Sequence, residues 1–140
     1  MRYLIDTHIF IWYAKEQDRL SFDIAAILGD YANDLLISME SVRELIVAYR
    51  SKPLLRKYWK TPTDMIDSIQ RDYGIRIVQP DMEVMRTLAN LDINISDGHY
   101  DPSDHIIISQ AITLGVPLIS GDHKFPFYTN HGLDLIYNKS

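Results

Sequence analysis

Apolar positions along this chain fall into two rhythms. One is the short run, seen at Tyr3-Leu4-Ile5, Leu35-Leu36-Ile37 and Val116-Pro117-Leu118-Ile119, with Ile75-Arg76-Ile77-Val78 close to it. Such runs read as strands buried in a parallel sheet. The other rhythm is the i, i+3, i+4, i+7 stripe of an amphipathic helix, seen at Ile24, Ile27, Leu28 and Tyr31 and again at Val42, Leu45, Ile46 and Tyr49. Start and stop signals complete the pattern. The predicted order is a strand (about 2–5), a helix (about 7–14), a helix opened by Ser21, a strand at 35–37 and a helix from Ser38 that Pro53 stops. A helix then opens at Thr61-Pro62 and ends at Gly74, followed by a strand at 75–78 and a helix from Asp81 to about Asn90. Asp101-Pro102 opens another helix, Gly115 terminates it, and strands follow at 116–120 and 133–137. The segment 91–100 is the clearest loop. Strands alternating with helices predict an α/β fold: a mostly parallel central sheet with helices on both faces.

Composition narrows the class. At 140 residues, 46% hydrophobic and 24% charged, the chain fits one globular domain spanning 1–140. The longest apolar stretch, Ile9 to Ala14, is far short of a membrane span, and Asp6 interrupts the N-terminus before an export signal could form. A cytoplasmic protein is expected. With no cysteine, only oxygen and imidazole are available as metal ligands. The net charge of −5 argues against a broad basic surface. Yet Arg43, Arg50, Lys52, Arg56, Lys57 and Lys60 share one segment with the single acid Glu44, and Tyr49, Tyr58 and Trp59 lie among them. That mixture suits single-stranded RNA, held by phosphate contact and stacking. It equally suits a solvated helical hairpin or a protein-binding surface.

Four acids stand where the strands of such a sheet deliver chemistry. Asp6 closes the first strand and precedes a helix, so it reads as an N-cap or as a ligand. Thr7 beside it could cap equally well or bond a ligand. Asp104 shares a helix face with Ile107, Ile108 and Ala111, and a carboxylate on a core-facing stripe needs donors or a cation. Asp101 shares that face and is either a cap or a fifth ligand. Glu44 points nearly opposite to its helix's apolar stripe, on a face with Val47, Ala48 and Ser51. Asp122, in Ser120-Gly121-Asp122, is either a turn residue or a strand-end ligand. Two like charges ~4 Å apart repel by about 4 kcal/mol at an effective dielectric near 20. Four converging carboxylates are therefore better explained as an oxygen cage for Mg²⁺ or Mn²⁺ than as structure. The five histidines lack zinc-site spacing; His99 and His123 lie near the acids and could touch a phosphate, though surface or supporting roles suit them better.

At these residues the chain resembles PIN-domain ribonucleases, specifically the VapC-like toxins of type II toxin–antitoxin pairs. The resemblance rests on Leu4-Ile5-Asp6-Thr7-His8 with Trp12, on Ser41-Val42-Arg43-Glu44-Leu45-Ile46, on His99-Tyr100-Asp101-Pro102-Ser103-Asp104 continued by Ile107-Ile108-Ser109-Gln110-Ala111, and on Leu118-Ile119-Ser120-Gly121-Asp122. It covers essentially the whole chain and implies a three-layer α/β/α sandwich. It also implies Asp6, Glu44, Asp104 and Asp122 as metal-binding acids, Thr7 and Ser120 as supporting hydroxyls, and dependence on Mg²⁺ or Mn²⁺. An RNA substrate, a homodimer and a cognate antitoxin occupying the cleft follow from it as well. Arg43, Arg50 and Lys52 are candidates to hold phosphates. Two departures, His105 where the family often has Arg and Ser103 where it commonly has an aromatic residue, bear on phosphate contacts or target choice. A non-toxin nuclease of RNA processing and a non-catalytic partner-binding module are the rival readings. A phosphatase with a nucleophilic aspartate would want an acid at position 8, where His8 stands. A receiver-like module would want one after a middle strand, where Ser38 and Gln79-Pro80 stand.

Overall fold

A computed structural model describes residues 1–139. The strands are β1 (Arg2–Ile5), β2 (Asp34–Ser38), β3 (Arg76–Val78), β4 (Leu118–Ser120) and β5 (Leu135–Tyr137). The α-helices are α1 (Thr7–Lys15), α2 (Phe22–Gly29), α3 (Met39–Ser51), α4 (Pro53–Tyr58), α5 (Pro62–Arg71), α6 (Met82–Ala89) and α7 (Pro102–Leu114). Every pairing is parallel, and the sheet order is β3-β2-β1-β4-β5.

Alternation along the strands divides the core. Tyr3, Ile5, Leu35, Ile37 and Ile119 join a cluster with Ile9 and Phe10 of α1, Ile24 of α2, Leu45 of α3 and Ile69 of α5. Leu4, Leu36 and Leu118 point the other way, onto Ile107, Ile108 and Ala111 of α7 and onto Phe125 and Tyr128. The result is the predicted α/β/α sandwich, with its sheet parallel throughout rather than mostly.

Local signals account for most element ends. Ser38 caps α3, Thr61 caps α5 and Asp81 caps α6, each through its side chain. Gly115 ends α7 in the left-handed conformation, φ 66°. Two expectations are corrected, and one element is new. The α2 stripe does not reach Tyr31: the helix ends at Gly29, the Asp30 carboxylate takes the Ala32 N–H, and Tyr31 is fully exposed. Pro53 stops α3 but also starts α4, because its fixed φ and missing N–H suit a first helical turn. A 3-10 segment at Phe125–His131, unmarked by either rhythm, follows β4 and buries Phe125 and Tyr128.

Candidate metal centre

Strands β1, β2 and β3 step one way across the sheet and β4 returns to the other side of β1, so the chain reverses direction between β1 and β4. In parallel sheets the carboxyl ends of the strands at such a reversal form the ligand-binding crevice. Asp6 follows β1 there, and its N–H donates to the Ile119 carbonyl of β4 at 3.0 Å. Asp122 follows β4, and α3 and α7 bring Glu44 and Asp104 to the same edge.

Hydroxyls hold one half of the cluster. Asp6 is buried; its Oδ1 accepts the Thr7 N–H at 2.7 Å and its Oδ2 accepts the Ser120 hydroxyl at 2.8 Å. It therefore caps α1 and faces the site as well. Thr7 Oγ1 donates to Glu44 Oε1 at 2.7 Å, which ties α1 to α3. Ser120, fully buried, also accepts the Asp122 N–H at 3.1 Å. The other half meets at Asp104. One ligand atom each from Glu44, Asp101 and Asp104 lies within 4.8 Å of the others, and so does one each from His99, Asp104 and Asp122. Asp101 does cap α7, taking the Ser103 N–H at 2.9 Å, and still belongs to the first of these groups.

Proton affinities follow from this crowding. Burial, then the charges of Asp6, Asp101, Glu44 and Asp122, pushes Asp104 up to about 8. Glu44 rises to about 7, again through burial first and then Asp6, Asp101 and Glu40, despite the opposing Thr7 hydroxyl. Burial raises Asp6 too, against the pull of Ser120. The donor set suits a small hard cation, because these are oxygen ligands on which burial first, and mutual repulsion second, holds protons near neutral pH.

Several placements sharpen or correct the sequence reading. Glu40, not singled out there, accepts from Arg43 (Nε at 2.9 Å, Nη2 at 2.5 Å) and from the Ser103 hydroxyl at 2.7 Å. Arg43 Nη2 also reaches Ser103 at 2.6 Å, so α3 and α7 are clasped beside the acids. The i, i+3 spacing of Glu40 and Arg43 was the available signal. Arg50 and Lys52 are exposed. Two of the three aromatics in the RNA-stacking expectation are withdrawn from the surface, while Tyr58 stays half-buried. Trp59 is buried and stacks on Phe10, with ring centroids 6.0 Å apart, and the buried Tyr49 donates its hydroxyl to the Trp59 carbonyl. Arg56 turns back onto the Tyr49 and Arg50 carbonyls. Of the histidines near the acids, His123 is exposed, whereas His99 is buried with Nε2 2.8 Å from Asp104 Oδ2.

A groove of about 440 Å³ runs from Thr7 and Glu44 over Ile11, Trp12, Ala48 and Leu55. Trp12 presses on Gly121, where an added Cβ would lie 2.9 Å from the indole ring. Glycine at 121 thus serves close approach of the indole.

The PIN domain family signature matches residues 3–128. A comparison with curated proteins finds no match. Among solved structures, the chain is similar to VapBC2 of Rickettsia felis bound to a DNA fragment from its promoter, with 17% identity, TM-score 0.72, and coverage of 99% of this chain and 100% of that one. It is also similar to VapBC-1 of nontypeable Haemophilus influenzae, with 19% identity, TM-score 0.66 and 98% of both chains. A third is VapBC-5 of Mycobacterium tuberculosis, a member of the VapBC family of toxin–antitoxin systems, with 15% identity, TM-score 0.59, and 99% of this chain and 98% of that one. At these identities the structural likeness speaks for the fold. With four acids gathered at the carboxyl edge and the signature spanning most of its length, the chain belongs to the PIN domain family, whose nucleases are hydrolases acting on nucleic acids.

Proposed function

We propose that this protein is a metal-dependent endoribonuclease, the toxin of a type II toxin–antitoxin pair, with Mg²⁺ or Mn²⁺ held by Asp6, Glu44, Asp104 and Asp122. The observation that carries the metal reading is the convergence of ligand atoms from separate elements, Glu44, Asp101 and Asp104 within 4.8 Å of one another and Asp122 within 4.8 Å of Asp104, with Asp104 and Glu44 both raised by burial and then by neighbouring carboxylates. A divalent ion held by these acids would supply a water of lowered pKa and a positive charge facing the phosphodiester. The protein's own share is positional. Ser120 orients Asp6, Thr7 orients Glu44, and Asp101 adds negative charge beside Asp104. The clasp of Glu40 and Ser103 holds Arg43 at the rim, where its guanidinium can meet a phosphate oxygen, with Arg50 and Lys52 exposed farther along the basic segment. No side chain need act as nucleophile.

The toxin assignment draws on the solved VapBC pairs and on the groove. Its lining is apolar at Ile11, Ala48 and Leu55, acidic at Glu44 and Asp101 and basic at Arg19, Arg43 and Lys52, which suits an amphipathic partner segment carrying charges of both signs. That segment would be the antitoxin's. We further propose a homodimer and a cytoplasmic location; among the described residues no helix is long and apolar enough to cross a membrane.

The test is cleavage of a mixed RNA pool by purified protein. Cleavage should need added Mn²⁺ or Mg²⁺, stop with EDTA, and disappear in Asp6→Asn. EDTA-resistant cleavage that Asp6→Asn retains would remove the proposal.

A further inference from the structure

The loop before α7 carries one histidine whose setting the proposed chemistry does not use. His99 is 1% exposed, walled by His105, Phe125 and Tyr128 with ring centroids 5.0, 5.6 and 5.5 Å away. Both ring nitrogens are engaged: Nε2 lies 2.8 Å from Asp104 Oδ2 and Nδ1 lies 2.8 Å from the Tyr128 hydroxyl. The His99 carbonyl is pinned as well, accepting from His105 Nε2 at 2.9 Å. On the far side, the Tyr128 oxygen accepts the Asn94 N–H at 3.2 Å, and Asn94 Nδ2 donates to the Lys124 carbonyl at 3.1 Å.

Proton counting assigns the direction of each bond. Tyr128 is fully buried, so its hydroxyl proton must find an acceptor, and His99 Nδ1 is the one at hand. Nδ1 is then bare and Nε2 carries the hydrogen. An Nε2–H has no lone pair to give a metal, even though it stands within 4.8 Å of ligand atoms of Asp104 and Asp122.

We propose that His99 is a positioning residue for Asp104, donating Nε2–H to Oδ2 in a tautomer set by the Tyr128 hydroxyl and leaving Oδ1 for the cation. The inference rests on the metal-site reading above. The chain Asn94–Tyr128–His99–Asp104 also links the start of α7 to the segment following Asp122. The third and fourth acids are thereby held in one frame, as partners behind a metal ligand commonly do.

Two measurements test it without relying on cleavage. Nitrogen NMR of the imidazoles in metal-free protein should show His99 protonated at Nε2 and bare at Nδ1. In Mn²⁺ titration calorimetry, His99→Ala should weaken binding by about 10–100-fold. His99→Gln, whose amide N–H can take the place of Nε2–H, should recover most of that loss. Tyr128→Phe keeps the bulk and frees the tautomer, and should weaken binding several-fold; it serves if His99→Ala fails to fold. The opposite tautomer, nitrogen hyperfine coupling from His99 to bound Mn²⁺, or folded His99→Ala binding Mn²⁺ as tightly as wild type would each overturn the inference while leaving the metal site intact. Wild-type protein that binds no Mn²⁺ would overturn the metal-site reading and this inference with it.

Discussion

Acids on the flanks of this molecule and acids at its carboxyl edge live under opposite rules. On the flanks, Asp72 pairs with Arg71, Asp34 with Arg76, Glu16 with Arg19 and Glu83 with Arg86. The Arg71 guanidinium holds the Asp72 carboxyl below its usual range. At the edge, Asp6, Glu44 and Asp104 have hydroxyls, backbone N–H groups and the imidazole of His99 for company, the charge of His8 pulls Asp6 only part of the way back, and all three rise. Arg43 feels the charges of Glu44 and Asp101, but its ion pair is with Glu40. Charge that is compensated within the chain marks surface; charge left uncompensated across several elements marks a place for something from outside.

Removing an edge charge is the most severe way to break that contrast. Asp104→Asn should lower metal-dependent cleavage by about three orders of magnitude. Above pH 8, where the Asp104 carboxyl is charged, the same substitution should raise the melting temperature of EDTA-treated protein by a few degrees, because ~1 kcal/mol of relieved repulsion is worth about 3–5 °C in a chain this size. A large drop in metal-free melting temperature would mean the carboxylate is structural after all.

The pH dependence should differ between the two regions in sign. An edge acid whose folded pKa exceeds its unfolded value near 4 binds protons more tightly when folded. Its stabilisation is complete at low pH and is lost as pH rises through the folded value. With Glu44 at about 7 and Asp104 at about 8, metal-free protein should lose stability between about pH 5 and 8 in urea denaturation. Saturating Mn²⁺ should reverse that trend. Asp72, held below its usual range, runs the other way and loses its contribution only in acid, below about pH 4.

Smaller effects sharpen the comparison. Gly121→Ala sets a methyl against Trp12 and should destabilise the fold by about 1–3 kcal/mol, the usual range for overpacking. Weaker cleavage should accompany it, as Asp122 is displaced. Thr7→Val removes the hydroxyl that Glu44 accepts and should weaken Mn²⁺ binding about tenfold, with little change in melting temperature. Least of all, Arg76→Ala should change stability by under ~1 kcal/mol and leave cleavage untouched, because its pair with Asp34 is solvent-exposed.

How much was legible from residues alone follows from where each signal is local. Ser38, Asp81 and Gly115 announced element ends because capping involves atoms a few residues away. Asp104 was readable as a strained position because Ile107, Ile108 and Ala111, all buried, define its face. Glu44 was not: its significance lies in the Thr7 hydroxyl 37 positions earlier in the chain. Trp59 misled for the same reason, since a tryptophan among lysines reads as a stacking platform until Phe10 is found beneath it.

Sequence by itself determined the alternation of strand and helix, the acids that end strands or begin helices, and the absence of thiolate chemistry. Periodicity, caps and composition are properties of neighbouring residues, so they survive without coordinates. Only the tertiary structure decided that β4 returns beside β1, that Ser120 bridges Asp6 and Asp122, and that His99 stands behind Asp104. Those facts join residues up to 114 positions apart. Burial and the field of several charges at once set their energies, and neither exists until the chain has closed on itself.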